Sequence, residues 1–314
     1  MKKQCSFAIF LMCAGLASFN LYAKSSQTSA ISSQQTQIPS YNELLLQRVR
    51  IAAETIPGNL PKEIRYTKFA TSTRTFADTV AGGDKNIPYV QARTAYQVVY
   101  PDGSIMIDAG MDEKINEFFG TGENSSFDEA KNNHIQQALL KAKKIIITHE
   151  HGDHIAGVIR TPNFTQLAPK TIVTEDQIET LIKKPQMPEL KLTEQQANSF
   201  NVVDFREFLP VAPGMVLIKA PGHTPGELMV YIKLQNGKEY IMAGDVSWSY
   251  VGVEKILQKP EHQIHRIGED PVAIQAQLEW LNTLLNQKLI IVVSHDDIEQ
   301  PKLIQQGLLK DGLI

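Results

Sequence analysis

Apolar and polar positions repeat along this chain with two different periods, which predict strands and helices in alternation. Short apolar or alternating runs that end at turn residues predict strands at Thr94–Tyr100, Ser104–Ile107, Ile145–Ile147, Thr171–Thr174, Met215–Lys219, Leu228–Leu234, Tyr240–Ala243 and Leu289–Val293. Apolar residues at helical spacing predict helices over residues 41–54, 128–142 and 272–286. This alternation indicates an α/β fold.

The densest group of metal-ligating side chains is the run His-Glu-His-Gly-Asp-His at residues 149–154, which directly follows a predicted strand. Alternate positions of an extended segment face the same way, so His149 and His151 can share one ion. The following glycine permits a sharp turn, after which Asp153 and His154 can reach a second position. Imidazole and carboxylate ligands without thiolate suit zinc, iron or manganese.

Three more potential ligands follow later strands of the prediction. His223 lies in a Pro-Gly-His-Thr-Pro-Gly turn, Asp245 follows a strand directly after Gly244, and His295 follows the last predicted strand. Each of these alone is typical of a turn or a cap. Together with the upstream cluster, they predict one metal site at the ends of several strands.

This order of motifs resembles the metallo-β-lactamase superfamily, whose signature is His-x-His-x-Asp-His. The resemblance spans roughly Thr94 to His295 and implies a four-layer αββα sandwich with metals at one sheet edge. It implies that one metal is bound by His149, His151 and His223, that the other is bound by Asp153, His154 and His295, and that Asp245 bridges them. It also gives Asp108 a structural role beside the ligands. The implied cofactors are two divalent ions, with zinc expected and manganese or iron as alternatives.

Within this superfamily, the bridging carboxylate Asp245 argues against true β-lactamase activity. Residues 220–226 and 295–300 resemble those of the N-acyl homoserine lactonases. Organophosphate hydrolases of the family, which are exported and carry the same ligands, remain an alternative. Glyoxalase II and persulfide dioxygenases act on glutathione derivatives, and the chain has no clear basic thiol-recognition segment. We therefore expect a hydrolase of a lactone or another ester.

One departure from the lactonases concerns the position three residues beyond Asp245. Those enzymes place a tyrosine there to hold the substrate carbonyl, whereas this chain has Trp248, followed by Tyr250. Either Tyr250 takes over the contact, or the substrate differs, or Trp248 is simply pocket wall. The implied mechanism is attack of a metal-bound hydroxide on the carbonyl, with the oxyanion held by a metal and one of these two side chains. Asp153 would orient the hydroxide and pass a proton to the leaving group.

The first residues have the layout of a secretory signal peptide. Lys2 and Lys3 precede an apolar stretch from Phe7 to Phe19, and residues 21–23 offer a cleavage site. We therefore predict a signal peptide over residues 1–23 and an exported protein, periplasmic or secreted. An uncleaved membrane anchor is the alternative, although the apolar stretch is short for spanning a bilayer.

The remaining chain divides into a polar tether and one domain. Residues 24–40 are rich in Ser, Thr and Gln and predict a disordered tether, and residues 41–314 predict the hydrolase domain. Cys5 and Cys13 both lie in the signal segment, so the mature chain would have no thiol nucleophile or disulfide. The net charge of −3 has mixed signs and gives no footprint for nucleic acid. The expected partner is a small-molecule substrate, and the oligomeric state stays open.

Other candidate residues are expected to play smaller parts. His134, His262 and His265 are expected at the surface, although the last two could shape a pocket. Glu150 occupies a variable position of the motif and is expected to face away from the ions.

Two readings from other functional classes remain open at this point. The first is a mononuclear iron oxygenase using His149, His223 and Asp245, which metal stoichiometry would separate from a hydrolase. The second is a non-catalytic binding protein built on a decayed site. Decay normally removes ligands, and every expected ligand is present in this chain.

Overall fold

The computed structural model describes residues 39–314, and its strands form two sheets. The strands are β1 (Glu63–Thr75), β2 (Pro88–Tyr100), β3 (Gly103–Ile107), β4 (Ser125–Phe127), β5 (Lys144–Ile146), β6 (Thr171–Thr174), β7 (Asn201–Val203), β8 (Phe208–Ala212), β9 (Met215–Lys219), β10 (Leu228–Lys233), β11 (Glu239–Met242), β12 (Ile290–Val292) and β13 (Lys310–Asp311). The helices are α1 (Glu43–Ala53), α2 (Glu113–Phe119), α3 (Glu129–Lys141), α4 (Gly152–Ile159), α5 (Phe164–Leu167), α6 (Glu175–Lys183), α7 (Glu194–Ala197), α8 (Tyr250–Lys255), α9 (Glu261–Ile267), α10 (Pro271–Asn286) and α11 (Glu299–Gln305). Short 3₁₀ turns occur at Phe76–Asp78, Gly122–Asn124, Ala168–Lys170 and Pro188–Leu190.

The strand order of the two sheets brings the ends of several strands to one edge. The first sheet has the order β13-β1-β2-β3-β5-β6-β7, and β4 also pairs with β1. Strands β3, β5, β6 and β7 run parallel, so their carboxyl ends lie on the same side. The second sheet has the order β12-β11-β10-β9-β8, with β12 parallel to β11 and the other neighbours antiparallel.

Alternation along the strands divides their side chains between two packed layers. In β3, Ile105 and Ile107 belong to the hydrophobic cluster between the sheets, whereas Met106 belongs to the cluster under the helices of the first sheet. In β9, Leu217 points between the sheets and Val216 packs on the outer side. Both faces of each sheet are therefore covered, and the expected four-layer αββα sandwich is confirmed.

The outer helices present apolar stripes to the sheets. Helix α10 buries Ile274, Leu278 and Leu281 completely against the second sheet. These side chains lie at the spacing of one helical face, and burying each of them contributes about 1.5–3 kcal/mol. Asp270 caps this helix by accepting hydrogen bonds from the backbone N–H groups of Val272 and Ala273.

The sequence predicted seven strands within one residue of their bounds, but it began β2 six residues late and missed β1, β4, β7, β8 and β13. The segment after His151 also differs from the expectation, because Gly152 does not make a sharp turn. Instead it opens helix α4, which carries Asp153 and His154 in its first turn. A Cβ atom on Gly152 would lie 2.9 Å from Cγ2 of Ile115, so this position is restricted by close packing.

Strands β1 and β2 form a hairpin of 13 residues a side, with a bulge at Phe69. Beyond the bulge, Ala70–Thr75 pair with Pro88–Arg93. The bulge inserts one residue into β1 and so resets which side chains face which way. This outer part of the hairpin forms one wall of the site described below.

The N-terminal predictions fall mostly outside the described residues. The predicted signal peptide, both cysteines and the predicted tether up to residue 38 all precede the described part of the chain. Within residues 39–314, no helix combines the length and apolar character needed to cross a bilayer.

Candidate metal centre

Five histidines and two aspartates meet where β5, β9, β11 and β12 end. Ligand atoms lie within 4.8 Å of one another in three groups: His149, His151 and His223; His149, His154 and Asp245; and Asp153, His154 and His295. All of these side chains are buried except His151, which is half-buried. The structure therefore brings together every residue that the sequence nominated as a metal ligand.

Four of the five imidazole rings have a carboxylate or carbonyl beside Nδ1, which leaves Nε2 for the centre. Nδ1 of His154 hydrogen-bonds Oδ2 of Asp108 at 2.8 Å, and Nδ1 of His295 hydrogen-bonds the carbonyl of Ala92 at 2.6 Å. This arrangement fixes both the ring orientation and the tautomer, as carboxylate or carbonyl partners do at metal-binding histidines.

The other two of these rings lie next to buried glutamates. Nδ1 of His223 hydrogen-bonds Glu269, and Nδ1 of His149 lies 3.2 Å from Oε2 of Glu227. Glu227 and Glu269 are both buried. They have no sequence motif, and the sequence analysis missed both.

The inward-facing atoms fit a metal centre. Nε2 of His149, Nε2 of His154 and Oδ1 of Asp245 are buried and have no hydrogen-bond partner among the described residues. Buried polar atoms in native proteins are nearly always paired, so a cluster of unpaired ones requires an explanation. Divalent cations would satisfy all of these atoms, and the nitrogen and oxygen donors suit zinc, manganese or iron.

Asp245 lies between the ligands that the resemblance implies for one metal, which include His223, and those that it implies for the other, which include His154 and His295. Its Oδ2 lies 3.0 Å from Nε2 of His295 and 3.4 Å from Nε2 of His223, and its Oδ1 lies 3.6 Å from Nε2 of His154. One carboxylate thus faces ligand atoms of both groups. The arrangement fits the bridging role that the resemblance implied.

Gly244 allows Asp245 to take this position. Its φ is +56°, and a Cβ atom there would lie 1.9 Å from Oε1 of Glu227. That oxygen also accepts a hydrogen bond from the backbone N–H of Asp245 at 2.9 Å. Only glycine combines this backbone conformation with such close contact.

The protein environment at the centre stabilises a positive charge at His154 and the neutral imidazole at His151. Burial alone would lower the pKa of His154, but the carboxylates of Asp108, Asp153 and Asp245 raise it to about 10. Burial and the neighbouring His223 lower the pKa of His151 to about 3. Carboxylates that favour a cation, beside imidazoles that keep a free lone pair, are what a metal ion requires.

Asp108 positions the motif from the end of β3. It has a φ of +61°, and its Oδ1 accepts a hydrogen bond from the backbone N–H of Thr148 at 2.8 Å while Oδ2 holds His154. A non-glycine residue with positive φ is costly, and these hydrogen bonds offset that cost. This geometry matches the structural role that the resemblance implied for Asp108.

Arg93 is a functional candidate that the sequence analysis missed. Its guanidinium Nε lies 3.0 Å from Oδ2 of Asp153, and its Nη2 donates to Oγ of Ser72 at 3.1 Å. The side chain is almost fully buried and packs over the ring of Phe119. The sequence analysis began the strand at Thr94, one residue after Arg93, so no predicted element marked this arginine.

Lys259 is a second buried charge without a motif. Its Nζ lies 2.7 Å from Oε1 of Glu269 and donates to the carbonyl of Asp245 at 2.7 Å. Burial would raise the pKa of Glu269, but Lys259 and His223 lower it to about 2. The glutamate therefore stays charged and holds both His223 and Lys259.

Trp248 and Tyr250 occupy different environments. Trp248 lines the cavity over the centre, and its Nε1 donates a hydrogen bond to Oδ2 of Asp245 at 2.9 Å. Tyr250 begins helix α8, packs against the hydrophobic cluster of the second sheet and does not line the cavity. This geometry gives no support to the predicted contact between Tyr250 and a substrate carbonyl.

Glu150 was expected to face away from the ions, and its carboxylate is turned to the loop that carries His223. It is buried, its Oε2 accepts a hydrogen bond from Oγ1 of Thr224 at 2.9 Å, and burial raises its pKa to about 7. It therefore braces the turn that carries His223. The histidines outside the motifs, His134 and His265, are exposed as expected.

His262 is also exposed, with its Nε2 3.1 Å from Oδ1 of Asp78. Neither His262 nor His265 lines the cavity over the centre. That cavity has a volume of about 610 Å³, which suits a small-molecule ligand.

Comparisons with known proteins agree with this fold. The family model described as the metallo-beta-lactamase superfamily matches residues 89–257. A solved structure of a quorum-quenching N-acyl homoserine lactone lactonase is 20% identical, covers 77% of this chain and 95% of its own, and has a TM-score of 0.61. A variant protein from B. thuringiensis, with N-decanoyl-L-homoserine bound at its active site, is also 20% identical, covers 77% and 96%, and has a TM-score of 0.60.

A dizinc quorum-quenching lactonase in complex with a product is 14% identical, covers 79% of this chain and 92% of its own, and has a TM-score of 0.53. At these identities the likeness to solved structures shows the fold. No curated protein matches the chain.

Proposed function

The chain belongs to the metallo-beta-lactamase superfamily, and we propose that it is a dinuclear metal-dependent hydrolase that cleaves a lactone or another carboxylic ester. The observation that carries this proposal is the convergence of buried, unpaired ligand atoms from His149, His154 and Asp245 on one centre. A decayed site would have lost some of these atoms, and a purely structural cluster would have paired them.

We assign two metal positions to the seven ligands. His149, His151 and His223 would hold one ion, Asp153, His154 and His295 would hold the other, and Asp245 would contact both. Two divalent cations there would supply a nucleophile by lowering the pKa of water and a Lewis acid for the carbonyl oxygen. Zinc is the expected metal, with manganese and iron as alternatives.

The chain's own carboxylate Asp153 is the proposed proton carrier. Hydrolysis adds a water oxygen to the carbonyl carbon and breaks the ester C–O bond, and the proton lost by the water must reach the leaving alkoxide. Asp153 faces the centre with Oδ2 3.5 Å from Nε2 of His295 and is held from behind by Arg93. We propose that Asp153 accepts and returns this proton, and that Arg93 is a positioning residue.

We propose that Trp248 forms part of the cavity wall and does not hold the substrate carbonyl. Its indole N–H already donates to Asp245, and indole offers no second donor for a carbonyl oxygen. It also stands where the lactonases that the sequence resembles have a tyrosine, so the substrate contacts of this chain would differ from theirs.

The substrate class is supported by two observations. Solved structures with the same fold are described as N-acyl homoserine lactone hydrolases, one with the product N-hexanoyl-L-homoserine at its catalytic metal centre. Residues 39–314 contain no cysteine, so a cysteine acyl-enzyme is excluded and direct attack by water is the simpler route.

We further propose that the protein is exported, on the signal-like pattern of residues 1–23.

The test combines metal content with turnover of a small panel. The purified mature protein should contain about two equivalents of zinc or manganese and hydrolyse acyl homoserine lactones or aryl esters. Asp245→Ala should lose both metal and turnover, because it removes the carboxylate that faces both groups. His262→Ala, which removes an exposed imidazole, is the matched control and should retain both.

The other outcomes each exclude one reading. One equivalent of iron without hydrolysis would overturn the hydrolase proposal and favour an oxygenase. Turnover of a phosphotriester alone would keep the dinuclear hydrolase but overturn the ester substrate, and turnover of nitrocefin alone would favour a β-lactamase.

A further inference from the structure

The cavity over the metal centre carries basic side chains that neither hold the ligands nor contact them. We propose that this part of the cavity recognises a carboxylate on the substrate, and that Arg74, Gln91 and Arg266 bind it. The inference rests on the proposed function, because it names the kind of ester that the site accepts: one whose acyl or alcohol part carries a second, free carboxylate.

Arg74 lies at the end of β1 and lines the cavity. Its Nε donates to Oε1 of Gln91 at 3.1 Å, and its Nη2 donates to the carbonyl of Phe119 at 3.3 Å. Both acceptors are neutral, and no carboxylate among residues 39–314 forms an ion pair with this guanidinium. Its charge is therefore available to a ligand.

Gln91 supplies the second, independent observation. It is 2% exposed, it lines the cavity, and its Nε2 has no hydrogen-bond partner in the described chain. The orientation of the amide is set by Arg74, since the guanidinium can only donate and must face the amide oxygen. The NH₂ group consequently remains a buried, unsatisfied donor on the cavity wall, which is unfavourable until an acceptor binds.

Arg266 approaches from the opposite element, the last turn of α9, and also lines the cavity. Its Nε donates to Oε1 of Gln263 at 2.7 Å. Burial and the positive charge of Arg74 lower the pKa of Arg266, so the two guanidinium groups repel each other in the free protein, and the negative charge of Glu269 offsets only part of this effect. An anion bound between them would replace this repulsion by two attractions.

The carboxylates that line the cavity have partners other than Arg74 and Arg266. They are the two ligand aspartates and Glu150, which is turned to Thr224, whereas Lys184 adds another exposed cation at the rim. A planar carboxylate matches the arrangement best, because its two oxygens can accept from a guanidinium fork and from the neighbouring amide. The residues involved are not metal ligands, so this carboxylate is distinct from the scissile group.

The experiment compares two esters that differ only in the free carboxylate. Mono-4-nitrophenyl adipate and 4-nitrophenyl hexanoate have the same acyl length, and kcat/KM is measured for both with the metal-loaded enzyme. The wild type should prefer the adipate ester by about 10- to 100-fold. In Arg74→Gln this ratio should fall towards one, and Arg74→Lys should restore part of it.

Two further variants keep the test decisive. Arg266→Gln removes the exposed member of the pair and should also reduce the ratio, even if Arg74→Gln folds poorly. Arg48→Gln is the matched control, because it removes a guanidinium that pairs with Glu207 outside the cavity. It should leave the ratio unchanged.

The possible failures can be told apart. Equal rates on both esters, or a preference that survives in Arg74→Gln and Arg266→Gln, would overturn the inference and leave the hydrolase proposal standing. If neither ester is hydrolysed, titration calorimetry with monomethyl adipate decides. Saturable binding that weakens about tenfold or more in Arg74→Gln would retain the carboxylate site, and equal or no binding would overturn it.

Discussion

The guanidinium Nε of Arg93 lies 3.0 Å from Oδ2 of Asp153, and both side chains are almost completely removed from solvent. Besides a bound metal, the carboxylate of Asp153 has Arg93 and the imidazoles of His154 and His295 as neighbours, the imidazoles at 3.7 and 3.5 Å. The arginine reaches Asp153 from β2, whereas Asp153 itself lies on helix α4. The pair therefore connects the hairpin wall of the cavity to the metal-binding motif.

Arg93→Met should destabilise the metal-free protein by about 1–3 kcal/mol, because it removes the nearest cationic partner of buried Asp153 and leaves only the imidazoles of His154 and His295 beside it. The loss should be smaller in the metal-loaded protein, where a cation faces the same carboxylate. Urea unfolding of both forms measures this difference. We also expect kcat to fall with little change in KM, since Arg93 acts through Asp153, and Arg93→Lys should recover part of kcat.

The matched control for that variant is Arg48→Met, which breaks a pair with Glu207 at the surface. Exposed pairs contribute about 0–1 kcal/mol, so its effect should be small and independent of metal. An equal loss of stability in both metal states of Arg93→Met would contradict the proposed link between Arg93 and the metal ligand.

Glu269→Gln should weaken metal binding by about 10- to 100-fold. The carboxylate holds Nδ1 of His223 and pairs with Lys259, so its neutral analogue leaves the lysine unpaired and the imidazole less well fixed. Competition with a chromophoric chelator measures the affinity. Glu261→Gln changes a glutamate whose side chain is 89% exposed, and it should bind metal as the wild type does. Unchanged affinity in Glu269→Gln would show that His223 needs no such support.

Gly244→Ala should be much more harmful than Gly237→Ala. Both glycines have positive φ, so both substitutions carry a strain of about 1–2 kcal/mol. Only at Gly244 does the added Cβ also meet an atom, Oε1 of Glu227 at 1.9 Å, whereas at Gly237 it meets nothing within 4 Å. The difference in unfolding free energy isolates this contact, and Gly244→Ala should also lose metal because Asp245 is displaced. Equal stability of the two variants would contradict the packing argument.

Trp248→Phe removes the indole N–H that donates to Asp245 but keeps an aromatic side chain in the cavity wall. We therefore expect kcat/KM to change by less than about tenfold. Tyr250→Phe should have no measurable effect, since Tyr250 packs outside the cavity. Kinetics on the preferred ester test both. A loss of about 100-fold or more in either variant would identify that side chain as an oxyanion donor after all.

The metal ligands could be predicted from the sequence because each follows a recognisable apolar strand within a short, locally distinctive run. His149 and His151 illustrate this, since both lie within five residues of β5. The same locality explains why most of the central strands were predicted within a residue or two. The αββα fold followed from the resemblance that these motifs carry.

The residues that hold the ligands could not be predicted in this way. Glu269 is 46 positions from His223 in the chain, and Arg93 is 60 positions from Asp153 (153 − 93 = 60). A lone Arg or Glu in a strand or loop resembles an ordinary surface residue until the fold buries it. Strand β1 was missed for a related reason, since its many polar residues obscure the alternation and its bulge breaks it. Export remains a prediction.

Because of the bulge at Phe69, the side chains that form the cavity wall depend on the number of residues in β1 as well as on their types. Side chains alternate strictly along a strand, so one extra residue reverses the parity of every later position. Because of that reversal, Ser72 and Arg74 share a face with Gln91 and Arg93 across the hairpin. Deleting a single residue before Ser72 would therefore invert that wall without altering any of its side chains. Relatives that keep these residues but differ by one in the length of this strand would present a different surface to the substrate.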